Sequence, residues 1–180
     1  KVDYVPFNQL EIAQRLLQNL TLGNFDYLNS REFSEVTVAL SFMKYMEKTR
    51  NKIFLVVFQD SPDLKFIDPS TYHKSTNSHD VFYAEVLQIP NFTEETKMLP
   101  FFVDFVVQEY LHKKAKKLYG NASLIINISH STPSIQQLKE LSIRFNRMPN
   151  IHFKNIFIAD MNNTGSIFVR LYPEYEYCTL

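Results

Sequence analysis

The chain has 180 residues, 45% apolar and 21% charged, which suffices for one domain with a sizeable core and is unlike a disordered composition. Its 19 basic and 19 acidic residues cancel to a formal net charge of zero, so no global field recruits nucleic acid or an anionic membrane. Only three glycines are present, Gly23, Gly120 and Gly165, which excludes phosphate loops, GxGxxG dinucleotide turns and GxSxG nucleophile elbows, all built on clustered glycines.

The opening KVDYVPF is not followed by the long apolar region of a signal peptide, and no apolar run reaches the roughly 18–20 residues that span a bilayer. The chain is therefore expected to begin at a processing site or an arbitrary boundary, with membrane attachment only through flanking segments. Over residues 9–20, Leu10, Ile12, Ala13, Leu16, Leu17 and Leu20 recur at helical spacing, with Asn8 as a cap and Gly23 as a stop. Residues 31–48 repeat the pattern through Phe33, Val36, Ala39, Leu40, Met43 and Met46, with Ser30 as a cap candidate. Together they predict a helical extension over residues 1–50.

Residues 53–58, IFLVVF, form a continuous apolar run that reads as a strand buried on both faces. The sequence from Asp60 to Asp63 breaks it, and residues 64–79, punctuated by Pro69, read as a long loop. VFYAEVL (81–87) reads as a further strand. Residues 99–118 predict a long helix with Pro100 in its first turn and Lys113, Lys114, Lys116 and Lys117 near its C-terminus, where cations suit the helix dipole. SLIINIS (123–129) is the next strand, and Pro133-Ser134 starts a helix to about Asn146. FKNIFIAD (153–160) and SIFVRLY (166–172), joined around Asn-Thr-Gly, predict an antiparallel hairpin. The whole predicts a single α/β domain over 1–180, with a core at 51–180, a mixed sheet and helices on both faces.

From residue 53 onward the order strand, helix, strand, helix, hairpin resembles the thioredoxin-like fold, whose final helix would lie past Leu180. Met148-Pro149 sits near the place of that family's cis-proline. Phe58-Gln-Asp-Ser-Pro-Asp63 stands where the family carries its CxxC motif and holds no cysteine, and the segment 60–98 is much longer than the family's turn. The resemblance thus implies a redox-inactive domain. The one cysteine, Cys178, excludes an internal disulfide and a cysteine-based zinc site, and it can pair only outside the chain.

Five Asn-x-Ser/Thr triplets begin at Asn19, Asn91, Asn121, Asn127 and Asn162, where 14 Asn and 23 Ser or Thr would place about two by chance. A glycan needs the surface. Asn162 falls in a turn, Asn121 after the helix-ending Gly120, and Asn91 after Pro90 in a loop. Asn19 lies near the end of an amphipathic helix. Asn127 lies inside a strand, where it is either an acceptor or a polar side chain at a strand edge.

Candidate chemistry is sparse. Asp60 and Asp160 each follow an apolar run, at the end of a strand where α/β sheets bind ligands or where Asp starts a turn. Asp160-Met-Asn162 also resembles the acidic pair by which nucleotide-sugar transferases hold a metal. Ser129-His130-Ser131 places a histidine at a strand end, without a marked acid or oxyanion hole. His73, His79, His112, His130 and His152 lack metal-ligand spacing. Lys113, Lys114, Lys116 and Lys117 form a basic patch for an acidic partner or a solvated helix end. The preferred expectation is a non-catalytic, redox-inactive interaction domain of a secretory-pathway or cell-surface glycoprotein, binding a protein partner or client without cofactor or metal. The alternatives are a metal-dependent glycosyltransferase fragment using Asp160 and Asn162, and a cytosolic α/β interaction domain whose triplets arise by chance.

Overall fold

A computed structural model describes residues 30–59, 62–89, 101–128, 133–162 and 165–180. The helix expected over 9–20, together with Asn19, Asp60, Asn91 and His130, lies outside them. The elements are α1 (Ser30–Arg50), β1 (Leu55–Phe58), β2 (Leu64–Ile67), β3 (Val81–Gln88), α2 (Phe101–Lys113), β4 (Ser123–Asn127), α3 (Ile135–Arg147), β5 (Ile156–Asn162), β6 (Gly165–Tyr172) and β7 (Glu176–Thr179). No helix among the described residues is long and apolar enough to cross a membrane.

The seven strands among the described residues make one mixed sheet in chain order, β1 to β7. Where two strands are joined by a helix-bearing connection, as in β3–α2–β4 and β4–α3–β5, they pair parallel. Where the connection carries no helix they pair antiparallel, giving a β1–β2–β3 wing and a β5–β6–β7 wing. This is an α/β domain with a mixed sheet.

Alternation along the strands builds two buried clusters. Leu124, Ile126, Ile156 and Ile158 pack with Phe102, Val106 and Tyr110 of α2 and Leu138, Leu141 and Phe145 of α3. The intervening Ile125, Phe157 and Ala159 pack with Val38, Ala39 and Phe42 of α1. The Phe42 ring centres the second cluster, 4.5 Å from the Phe66 ring and stacked 4.8 Å from that of Phe82. α3 starts on a capping box: Ser134 Oγ accepts from the Gln137 N–H, and Gln137 Oε1 accepts from the Ser134 N–H.

Several expectations are corrected. β1 is an edge strand, exposed or half-buried along its length, and not a strand buried on both faces. The parallel set is headed by β3, not by the strand at 53–58. The expected loop 64–79 begins with β2, whose Leu64 and Phe66 are fully buried. α2 ends at Lys113 rather than 118, and Gly120 turns the chain at φ +61 into β4. The described cis X-Pro bond is Tyr172–Pro173, not Met148–Pro149.

Candidate functional site

Asp160 is wholly buried within β5, paired with Ile167, and does not start a turn. Its alternation places it on the strand face that carries Ile156 and Ile158. Asn127 ends β4 on the opposite face, beneath α1, where its Nδ2 donates to Ser34 Oγ at 2.8 Å. The two polar groups at these strand ends are thus separated by the sheet. Asn162 closes β5 against Gly165 at the hairpin. Among the described residues no group of three or more His, Cys, Asp or Glu side chains gathers as a metal site.

Two of the five glycan candidates, Asn121 and Asn127, separate on burial. Asn121 is exposed in the turn after Gly120, and Ser123 of its triplet accepts from Asn155 Nδ2 at 3.0 Å. Asn127 is 1% exposed in a strand flanked by β3 and β5. A glycan on it has no room in this fold, and it is not at a strand edge; both readings of Asn127 are corrected. Its Oδ1 has no partner among the described residues.

The basic patch does not survive folding as a unit. Lys113 pairs with Glu109 one turn back, Nζ to Oε2 2.6 Å. Lys114 turns inward to Glu85 Oε2 at 2.6 Å and lies 4.0 Å from Asp63 Oδ2 and 5.6 Å from the centre of the Tyr119 ring. Only Lys116 and Lys117 of the four remain exposed and outside these pairs. Asp63 Oδ2 also accepts the Val86 N–H at 2.7 Å, which ties the start of β2 to β3. Burial, followed by the charges of Glu85 and Asp63, pushes the Tyr119 phenol up to about 12. The sequence carried the signal for this cluster: Lys114 continues the buried phase of Val103, Val106 and Tyr110, and Glu85 is a lone charge in an apolar strand.

Cys178 lies in β7; burial raises its thiol pKa, with Lys48 opposing and Glu176 adding to the shift. A buried thiol of raised pKa is a poor partner for an outside group.

The feature missed by the sequence reading is the outer face of the first wing. Leu55, Ile67 and Val81 stand in register across β1, β2 and β3. Their neighbours Val56, Phe66 and Phe82 point the other way, towards Phe42. The face bearing Leu55, Ile67 and Val81 is left open: Ile53 is 66% exposed, Leu55 57% and Val81 41%. Leu55, Ile67 and Val81 form an apolar stripe that ends at β1, an edge strand among the described residues, with Ile53 just before it.

No protein-family model, curated protein or solved structure matches the chain.

Proposed function

We propose that the chain is a non-catalytic protein-interaction domain of a secretory-pathway or cell-surface glycoprotein, and that it meets its partner through the outer face of the β1–β3 wing. The observation that carries this reading is the stripe of Leu55, Ile67 and Val81, in register across paired strands, with Leu55, Val81 and the preceding Ile53 open to solvent. Scattered exposed apolar residues need no explanation, but an aligned set on one rigid face marks a contact surface. The placement in the secretory pathway rests on the triplets at Asn121 and Asn162, one exposed in a turn and one at a hairpin. Two separate buried clusters, one under α1 and one under α2 and α3, support a three-layer arrangement that presents this wing rigidly. The thioredoxin-like resemblance is not needed for this reading.

A photo-crosslinking residue in place of Leu55, expressed in the native host, tests it. The reading expects one adduct of defined mass. No adduct at Leu55, or the same adducts from a crosslinker at the exposed Leu118 of the α2–β4 connection, would overturn it.

A further inference from the structure

Resting on that reading, we propose that the partner at the wing is a second copy of this chain, joined edge to edge through β1 in an antiparallel pair centred on Val56.

The two edges of the sheet are treated differently. At β7, Lys48 Nζ donates to the Thr179 carbonyl at 2.7 Å, and Glu176 is held by Arg170 at 2.8 Å and Arg50 at 3.5 Å. Charges and a bonded carbonyl of this kind discourage strand addition. The β1 strand, LVVF, carries no charge and no proline, and its ladder to β2 has no bulge. Among the described residues it has one strand neighbour, β2.

The backbone fixes which groups are free. The Gln59 N–H donates to the Asp63 carbonyl at 3.0 Å, continuing the β1–β2 register by one pair. Hydrogen-bonded pairs alternate along an antiparallel ladder, so Leu55, Val57 and Gln59 bond inward to β2. The next ladder agrees: the Asp68 N–H donates to the Asp80 carbonyl at 3.0 Å, assigning the alternate residues of β2 to β3. The N–H and C=O groups of Val56 and Phe58 therefore point out of the sheet, and the same alternation carried one residue before β1 gives Phe54.

One symmetric register pairs all three of these residues. With the two-fold axis at Val56, Phe54 lies opposite Phe58 of the other copy and Val56 opposite itself. Shifting the axis to residue 55 sets Phe58 against Lys52, whose N–H is already given to the Met46 carbonyl. Shifting it to residue 57 leaves Phe54 with no partner among the described residues. The register centred on Val56 also matches side chains on both faces. Leu55 faces Val57 of the other copy, and the two exposed stripes become continuous; on the α1 face, Phe54 meets Phe58. Four-residue edges bury less than the ~1,200 Å² of an ordinary stable complex, so the dimer depends on concentration.

The test uses the complete chain in sedimentation from about 1 µM to 1 mM, a span covering weak to moderate affinities. The proposal expects mass to double as concentration rises. Leu55→Lys should abolish the doubling, as should Val56→Pro, which removes an outward N–H that β2 does not use. Thermal unfolding of each variant checks that it is folded. A second readout fixes the register: mixed Leu55→Cys and Val57→Cys chains should form a disulfide-linked dimer under mild oxidation, because these residues face each other as a non-hydrogen-bonded pair, while either chain alone should not. A monomer throughout, or a dimer that persists in both folded edge variants, overturns the proposal. If the Leu55 photo-adduct proves to be a different polypeptide, self-pairing fails and the interaction reading stands. If no adduct forms at all, both fail.

Discussion

Lys114 Nζ lies 2.6 Å from Glu85 Oε2, joining the end of α2 to the middle of β3 across 29 residues of chain. Both side chains are largely buried, at 15% and 4% exposure. The contact explains why four clustered lysines do not make a four-lysine binding surface: the fold uses one of them internally. Deleting one member of a buried pair leaves the other charge without its main compensation, at a cost of about 3–5 kcal/mol. Lys114→Ala should therefore lower stability by about 3 kcal/mol in urea unfolding, whereas Lys116→Ala and Lys117→Ala should stay within about 0.5 kcal/mol. Lys114→Met with Glu85→Leu should recover much of the loss, since an apolar pair of similar volume removes the stranded charge.

Acid should act at Asp68. Lys52 and Ser70 hold its carboxyl down to about 2, from an ordinary 3.8. Lys52 Nζ is 2.6 Å away, and the Ser70 N–H and hydroxyl both donate to the other carboxylate oxygen. A pKa lower in the folded than in the unfolded chain stabilises above pH 3.8, and that stabilisation is lost as the pH falls towards 2. Urea midpoints measured from pH 5 to pH 2 should fall less steeply in Asp68→Asn than in the parent chain. Equal slopes would contradict the assignment.

The capping box of α3 makes a separate prediction. Ser134→Ala removes the acceptor of the Gln137 N–H and should cost about 1 kcal/mol, read as a lower melting temperature. Ser134→Asp, which restores an acceptor and suits the helix N-terminus, should recover it.

Glycan occupancy follows from burial at Asn121 and Asn127, and from the hairpin position at Asn162. On protein from the native host, endoglycosidase treatment should convert Asn121 and Asn162 to Asp and lower the intact mass, while Asn127 stays Asn. Peptide mass spectrometry reads each position directly. A glycan found on Asn127 would contradict its buried bond to Ser34.

Much of the central fold was legible. β4, α3 and the β5–β6 hairpin announce themselves by an apolar run, a Pro133-Ser134 start and an Asn-Thr-Gly sequence between two apolar runs. The first wing was not. IFLVVF reads the same whether both faces are covered or only one, because periodicity reports what can be buried and not what is available to cover it. β2 was hidden by its length: LKFI is four residues set between Asp63 and Asp68, in a segment whose Asp, Ser, Thr and Pro content reads as loop. With β1 misplaced as the head of the parallel set, the stripe of Leu55, Ile67 and Val81 could not be assembled from sequence. Lys114 was legible in principle from its helical phase and was obscured by its lysine neighbours.

The most direct measurement is native mass spectrometry of the protein drawn gently from its host, compared between the parent chain, Leu55→Lys and Leu118→Lys. The account predicts an assembly heavier than one glycosylated chain in the parent and in Leu118→Lys, and a single chain in Leu55→Lys. The same mass in all three, whether one chain or many, would contradict a role for the β1–β3 wing as the contact surface.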